Sequence, residues 1–158
     1  MKILMVCLGN ICRSPMAEGI LRHKLKLNRI SAEVDSAGFE PFHEGDPPDR
    51  RAIATLRKKA IEISHLRARL FQHADFDKFD RIFVMDRINH ADVLSMARDQ
   101  KDREKVDFIL NKSFPGENRE VPDPYYGHNN GFEHVFELLD NACDIIIQEV
   151  KNDLDKNK

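Results

Sequence analysis

The stretch Cys7-Leu8-Gly9-Asn10-Ile11-Cys12-Arg13-Ser14-Pro15 sets a thiol and a guanidinium six positions apart across a glycine-containing turn. Spacing alone proves little, because short motifs match by accident unless their structural context is right. Here the neighbours supply the context. Lys2 to Cys7 is an almost continuous apolar run, the pattern of a strand buried on both faces. Ser14 followed by Pro15 reads as a helix start, since Ser can cap free N–H groups and Pro fits the first turn. A loop between strand and helix can turn its backbone N–H groups inward onto an anion. Arg13 would close that ring, its planar fork holding two phosphoryl oxygens at once as Lys cannot. The same field of N–H dipoles and positive charge favours the thiolate of Cys7. An ionised thiol aimed at a bound oxyanion is a nucleophile.

The rest of the chain must frame that loop. After it, Ala17, Ile20, Leu21 and Leu25 form the apolar stripe of a helix. Ser31 to Ala37 reads as a second strand, and the loop from Gly38 to Asp49 is rich in Pro and Gly. A helix from about Asp49 to Lys59 follows. Asp80 to Asp86 is a third buried strand, leading into a polar helix from about Asn89 to Arg98, and Val106 to Leu110 is a fourth strand. The long loop Asn111 to Gly131 holds Pro115, Gly116, Pro122, Pro124 and Gly127, and a loop of that length in a compact domain points to function. Phe132, Val135, Phe136, Leu139, Cys143, Ile146, Ile147 and Val150 mark a final helix, with the polar tail after about 151 expected to fray. Alternating strands and helices predict an α/β fold: a single domain over 1–158, a four-stranded parallel sheet flanked by helices on both faces in a Rossmann-like three-layer arrangement. Its sites would lie outside the carboxyl ends of the strands, in the loops after Cys7, Ala37, Asp86 and Leu110.

Composition narrows the function classes. With 158 residues, 41% hydrophobic and 33% charged, the chain has the profile of one globular domain rather than a disordered tail. The 25 basic and 27 acidic side chains give a net charge of −2 with both signs interspersed, so neither nucleic acid nor a membrane surface is an expected partner. The longest apolar run, Ile3 to Leu8, is far too short for a membrane span or a signal-peptide core, and a cytoplasmic location is expected. Three cysteines, an odd number without metal-ligand spacing, argue against a disulfide scaffold and against a metal site, and no cofactor is called for. Asp75, Asp77 and Asp80 lack the Gly and the distal Glu of a calcium loop. By local sequence alone Cys143 is a core residue, Asp123 a turn residue, and Asp86 a carboxylate that structures a loop and only secondarily a second acid.

The run Val6 to Pro15, VCLGNICRSP, closely resembles the phosphate-binding loop of the low-molecular-weight protein tyrosine phosphatases. Further landmarks occur in family order along nearly the whole chain: Asp35-Ser36-Ala37-Gly38, Pro48-Asp49, Arg51-Ala52, Ser64-His65, Ala68-Arg69, Met85-Asp86 and Pro122 to Gly127. The resemblance implies the phosphotyrosine phosphatase I-like fold, Cys7 as nucleophile, Arg13 as phosphate clamp and Asp123 as general acid. It implies that Ser14 hydrogen-bonds the thiolate and that Asn10, Ser36 and His65 form a supporting network beneath the loop. Gly9 and Cys12 complete the phosphate-binding turn, and Cys12 as a neighbouring loop cysteine could form a reversible disulfide with Cys7. Walls for a phosphotyrosine ring would come from Leu8, Ile11, Phe42, Tyr125 and Tyr126. Phe42 stands where many relatives carry Trp, and Ile11 where a phosphoarginine-cleaving subgroup carries Thr, which favours phosphotyrosine.

Expected partners are therefore tyrosine-phosphorylated proteins, a tyrosine kinase among them, with inorganic phosphate as product and the enzyme a monomer. Two other readings compete. A thiol-dependent arsenate reductase of the same fold would need further cysteines to pass on oxidising equivalents, and only Cys143 lies downstream. The other is a non-catalytic domain that merely binds phosphoproteins; with Cys7, Arg13 and Asp123 all present, loss of catalysis would need a distortion the sequence does not show.

Overall fold

From Ile3 onward β1 (Lys2–Val6) is wholly buried, and its side chains divide by parity. Ile3 and Met5 enter one apolar cluster, Leu4 and Val6 the other, as the two-residue repeat of a strand requires. In the computed structural model, which describes residues 1–127 and 130–158, this strand lies within a four-stranded parallel sheet. The order is β2-β1-β3-β4, with β2 at Glu33–Ala37, β3 at Arg81–Val84 and β4 at Val106–Phe108. The expected α/β class and parallel four-stranded sheet are therefore present.

Helices cover both faces. The first cluster joins the sheet to α1 (Arg13–Leu27), α2 (Arg50–Arg57) and α6 (Asn130–Lys156), through Leu21, Leu56 and Leu139 among others. The second takes in Phe76 of α3 (Asp75–Lys78) and Val93 of α4 (Arg87–Ser95), and α5 (Gln100–Glu104) packs beside β4. All eight apolar positions named on the final helix are buried. Among the described residues no helix is long and apolar enough to cross a membrane.

Several boundaries differ from those expected. The helices α3 and α5 were not expected, because four or five residues are too few to carry a periodic signal. Helix α4 starts at Arg87 rather than Asn89, because Asp86 caps it by accepting the Asn89 N–H at 2.8 Å. The final helix does not fray after 151 but continues to Lys156, where Arg81 holds its last turns through Glu149 at 2.9 Å and Asp153 at 2.7 Å. A 3-10 turn at Ile109–Asn111 shortens the long loop at one end and α6 at the other, and its residues 128 and 129 lie outside those described.

The strand order fixes where a ligand can go. From β1 the chain steps one way to β2, then crosses β1 to reach β3 on the other side. The loops leaving β1 and β3 thus open a crevice at their carboxyl ends.

Candidate active site

Asn10 turns the loop after β1. Its φ of +55° is in the left-handed region, which Asn tolerates better than most residues, and the turn brings its N–H to 3.3 Å from Cys7 Sγ. Its side chain is fully engaged. Nδ2 donates to Ser14 Oγ at 2.8 Å and to Ser36 Oγ at 2.9 Å, while Oδ1 accepts the Arg69 N–H at 3.0 Å. Ser14 Oγ lies 2.9 Å from Cys7 Sγ. Because Asn10 already donates to that hydroxyl, the Ser14 proton is free to point at the sulfur. Ser36 in turn donates to Glu18 Oε1 at 2.6 Å, and Arg22 pairs with the other Glu18 oxygen.

This network corrects two expectations. Ser14 does not cap α1: the helix begins at Arg13 with Cys12 at the cap, and the Ser14 hydroxyl serves Cys7 instead. His65 is exposed and, among the described residues, makes no hydrogen bond to the network. The Asn10 side-chain oxygen is met instead by the backbone N–H of Arg69, four residues on. Glu18 was missed, although an ionisable residue between Ala17 and Gly19 on the buried stripe, one turn from Ser14, was a readable signal.

Neighbouring elements hold the loop's carbonyls outward. Leu8 O accepts the N–H groups of Phe39 and Glu40, and Ile11 O accepts that of Asp49 at 2.8 Å. Gly38 makes the first contact feasible, since a Cβ there would stand 2.7 Å from Leu8 O and 3.0 Å from Asn10 N. The N–H groups of Gly9, Ile11, Cys12 and Arg13 find no protein acceptor among the described residues. Together they make a bowl of donors with Cys7 at its base.

Arg13 closes the bowl. Nη1 is pinned to Asp86 Oδ2 at 2.7 Å and to Val121 O at 2.9 Å, and Nη2 lies 3.6 Å from Asp123 Oδ2. Its side chain is 3% exposed. Burial alone would weaken its charge, but Cys7, Asp86 and Asp123 outweigh that and hold the guanidinium above its ordinary value. Asp86 is thus a structuring carboxylate, capping α4 with one oxygen and orienting Arg13 with the other. Asp123 itself is exposed and accepts the Tyr125 N–H at 3.0 Å.

Above the bowl is a cavity of about 450 Å³ whose walls include Leu8, Ile11, Phe42, Tyr125 and Tyr126. Phe42 and Tyr126 are 83% and 85% exposed, leaving two bare aromatic faces at the mouth. Glu40 and His43 also line it and were not foreseen; His43 packs edge-on to Phe42 and Tyr125. Cys12 lies in the wall beside Cys7, its thiol kept neutral because burial pushes it above its ordinary value. Cys143 is fully buried on the core face of α6, as its spacing implied.

A family model described as low molecular weight phosphotyrosine protein phosphatase matches residues 2–156. A low molecular weight phosphotyrosine protein phosphatase of Schizosaccharomyces pombe is 40% identical over 143 residues, covering 88% of this chain and 90% of its own. A protein tyrosine phosphatase structure from Entamoeba histolytica superposes with a TM-score of 0.89 at 33% identity, over 96% of this chain and 97% of that one. The structure of a Drosophila arginine phosphatase superposes with a TM-score of 0.88 at 30% identity, over 96% and 98% of the two chains.

Proposed function

The chain belongs to the low-molecular-weight phosphotyrosine protein phosphatases, and we propose that in its hydrolysis of protein phosphotyrosine Cys7 is the nucleophile, Arg13 the phosphate clamp and Asp123 the general acid and base. The observation that carries these roles is the convergence of thiol, guanidinium and carboxyl on one bowl of free N–H donors beneath an aromatic cavity.

Phosphoryl transfer asks for in-line attack, neutralised equatorial oxygens and a proton for the departing phenolate. The Cys7 thiolate, held by Ser14 and the Asn10 N–H, attacks phosphorus. An S–P bond forms as the P–O bond to the aryl group breaks. Arg13 and the loop amides stabilise charge on the three transferring oxygens. Asp123 gives its proton to the phenolate, then as carboxylate takes one from the water that cleaves the phosphocysteine. Inorganic phosphate leaves and the thiolate returns.

The apolar Ile11 and the aromatic walls suit a phenyl ring, which supports phosphotyrosine over phosphoarginine even though an arginine phosphatase shares the fold. Burial of Cys143 in the core removes the thiol an arsenate reductase would need downstream. Substrate class and nucleophile are tested together by measuring phosphate release from a phosphotyrosine and a phosphoarginine peptide, in EDTA, with wild type and Cys7→Ser. The expected result is release from phosphotyrosine only, abolished in the variant. Equal release from both peptides would overturn the substrate assignment, and activity surviving in Cys7→Ser would overturn the nucleophile.

A further inference from the structure

Arg51 has no part in the chemistry above, yet it ties the loop that carries Asp123 to the rest of the site. It lies in the first turn of α2, behind Asp49. Asp49 caps the helix by accepting the Arg51 N–H at 2.8 Å and is gripped through both oxygens, Oδ1 by Nε and Oδ2 by Nη2, each at 3.0 Å. Burial would raise the Asp49 carboxyl, but the Arg51 hydrogen bonds overcome it and hold the group below its ordinary value, so the pair stays ionised. With its fork fixed on Asp49, Arg51 reaches across to the acid loop. Nη2 donates to Tyr125 O at 3.0 Å and Nη1 to Gly127 O at 3.5 Å, while the guanidinium lies over the Phe132 ring at 4.7 Å and the Tyr125 ring at 5.7 Å.

The contacts run in an unbroken sequence between the two halves of the site. Asp49 N–H donates to Ile11 O in the phosphate loop, Asp49 holds Arg51, Arg51 holds Tyr125 O, and Tyr125 N–H donates to Asp123 Oδ1. The loop has few other anchors. Pro122 and Pro124 have no N–H to give, Val121 is fixed to Met85 O, and the Gly127 N–H is spent inside the loop on Pro124 O. Past Val121, the described backbone of this loop is tied to the rest of the protein through Arg51.

We propose that Arg51 is a positioning residue for proton transfer: its bridge from Asp49 to the Tyr125 carbonyl sets the height of Asp123 above Cys7, and with it the efficiency of protonating the leaving group. This rests on the reading of Asp123 as general acid. A planar fork is required because one side chain must grip Asp49 with two nitrogens while also donating to Tyr125 O and Gly127 O. Lys could make one of these contacts but not the set.

The test is a series of aryl phosphates whose phenols range from good to poor leaving groups, scored by kcat/KM, which reports the steps up to phenol release. Wild type, Arg51→Lys, Arg51→Gln, Asp123→Asn and the Arg51→Gln/Asp123→Asn double variant are compared. Both Arg51 variants are expected to lose about tenfold or more on the poorest leaving group, within the 10²–10⁴ a general acid supplies. On the best leaving group the loss should be about twofold or less, with the inhibition constant for inorganic phosphate unchanged. In the double variant the Arg51 change should add nothing to the Asp123 loss. Equal losses across the series, or additive losses in the double variant, would overturn the proposal. Arg51→Lys keeps the test open if Arg51→Gln folds poorly. If Asp123→Asn itself shows no leaving-group dependence, the general-acid reading fails; if it does and the Arg51 variants do not, only the role of Arg51 falls.

Discussion

Cys7 stands at one end of a directed set of hydrogen bonds and Glu18 at the other, with Asn10 donating to both serines between them. Replacing Asp123 with Asn tests the acid end of the chemistry: kcat on phosphotyrosine should fall by about 10²–10⁴, and less on substrates with good leaving groups. Glu18 gives a pH signature. Burial raises it, the Ser36 and Arg22 contacts only partly oppose this, and the group sits above its ordinary value of 4.5. The folded chain therefore holds that proton more tightly than the unfolded chain, and its contribution to stability falls as pH rises through the window that opens at 4.5. Glu18→Gln lacks this titration. Melting temperatures of the two proteins should diverge in the variant's favour above that pH and run parallel below it. Parallel curves at every pH would show that Glu18 does not titrate abnormally.

At the scale of elements, the loop after β1 keeps its shape because other elements occupy its carbonyls. The strand β2 leads directly into Gly38, whose missing side chain lets Leu8 O and Asn10 N approach. Gly38→Ala would drive a Cβ onto backbone atoms that cannot swing aside, so the junction must shift. The expected cost is about 1–3 kcal/mol of stability together with a fall in kcat/KM, read by thermal melts and by phosphate release. Unchanged activity would mean the bowl does not depend on this junction. The element boundaries themselves were largely legible, since buried strands, apolar stripes and Pro-rich loops are local patterns. The exceptions have physical causes: Asp86 extended α4 by serving as its cap, and α3 and α5 are too short to be periodic.

Across the whole molecule, the sheet divides two apolar clusters, and α6 lies along the one that also contains Cys7. That helix acts as scaffold rather than as part of the site. Leu139, wholly buried in its middle, is expected to cost about 2–5 kcal/mol when cut to Ala while kcat/KM of the folded enzyme stays as in wild type. Denaturant unfolding and steady-state kinetics on the same preparation check both halves. A fall in kcat/KM to match the lost stability would mean that packing under α6 reaches the phosphate loop.

The amino-acid sequence by itself determined what is encoded between near neighbours. That comprises the thiol and guanidinium of the Cys7 to Arg13 turn, the buried strand before it, the helix after it, and the core faces of α1 and α6. Only the tertiary structure decided which distant groups complete the site. Arg13 is pinned by Asp86, 73 positions away, and by Val121, 108 away; Asn10 is met by Arg69, 59 away; and Arg51 holds Tyr125, 74 away. Periodicity carries no record of these pairings, because they depend on the order in which strands enter the sheet and on where each loop then lands. The segment from Ser64 to Arg69 shows the limit plainly: the family resemblance implied that His65 supports the phosphate loop, but that the backbone N–H of Arg69 faces Asn10 was settled only when the chain packed.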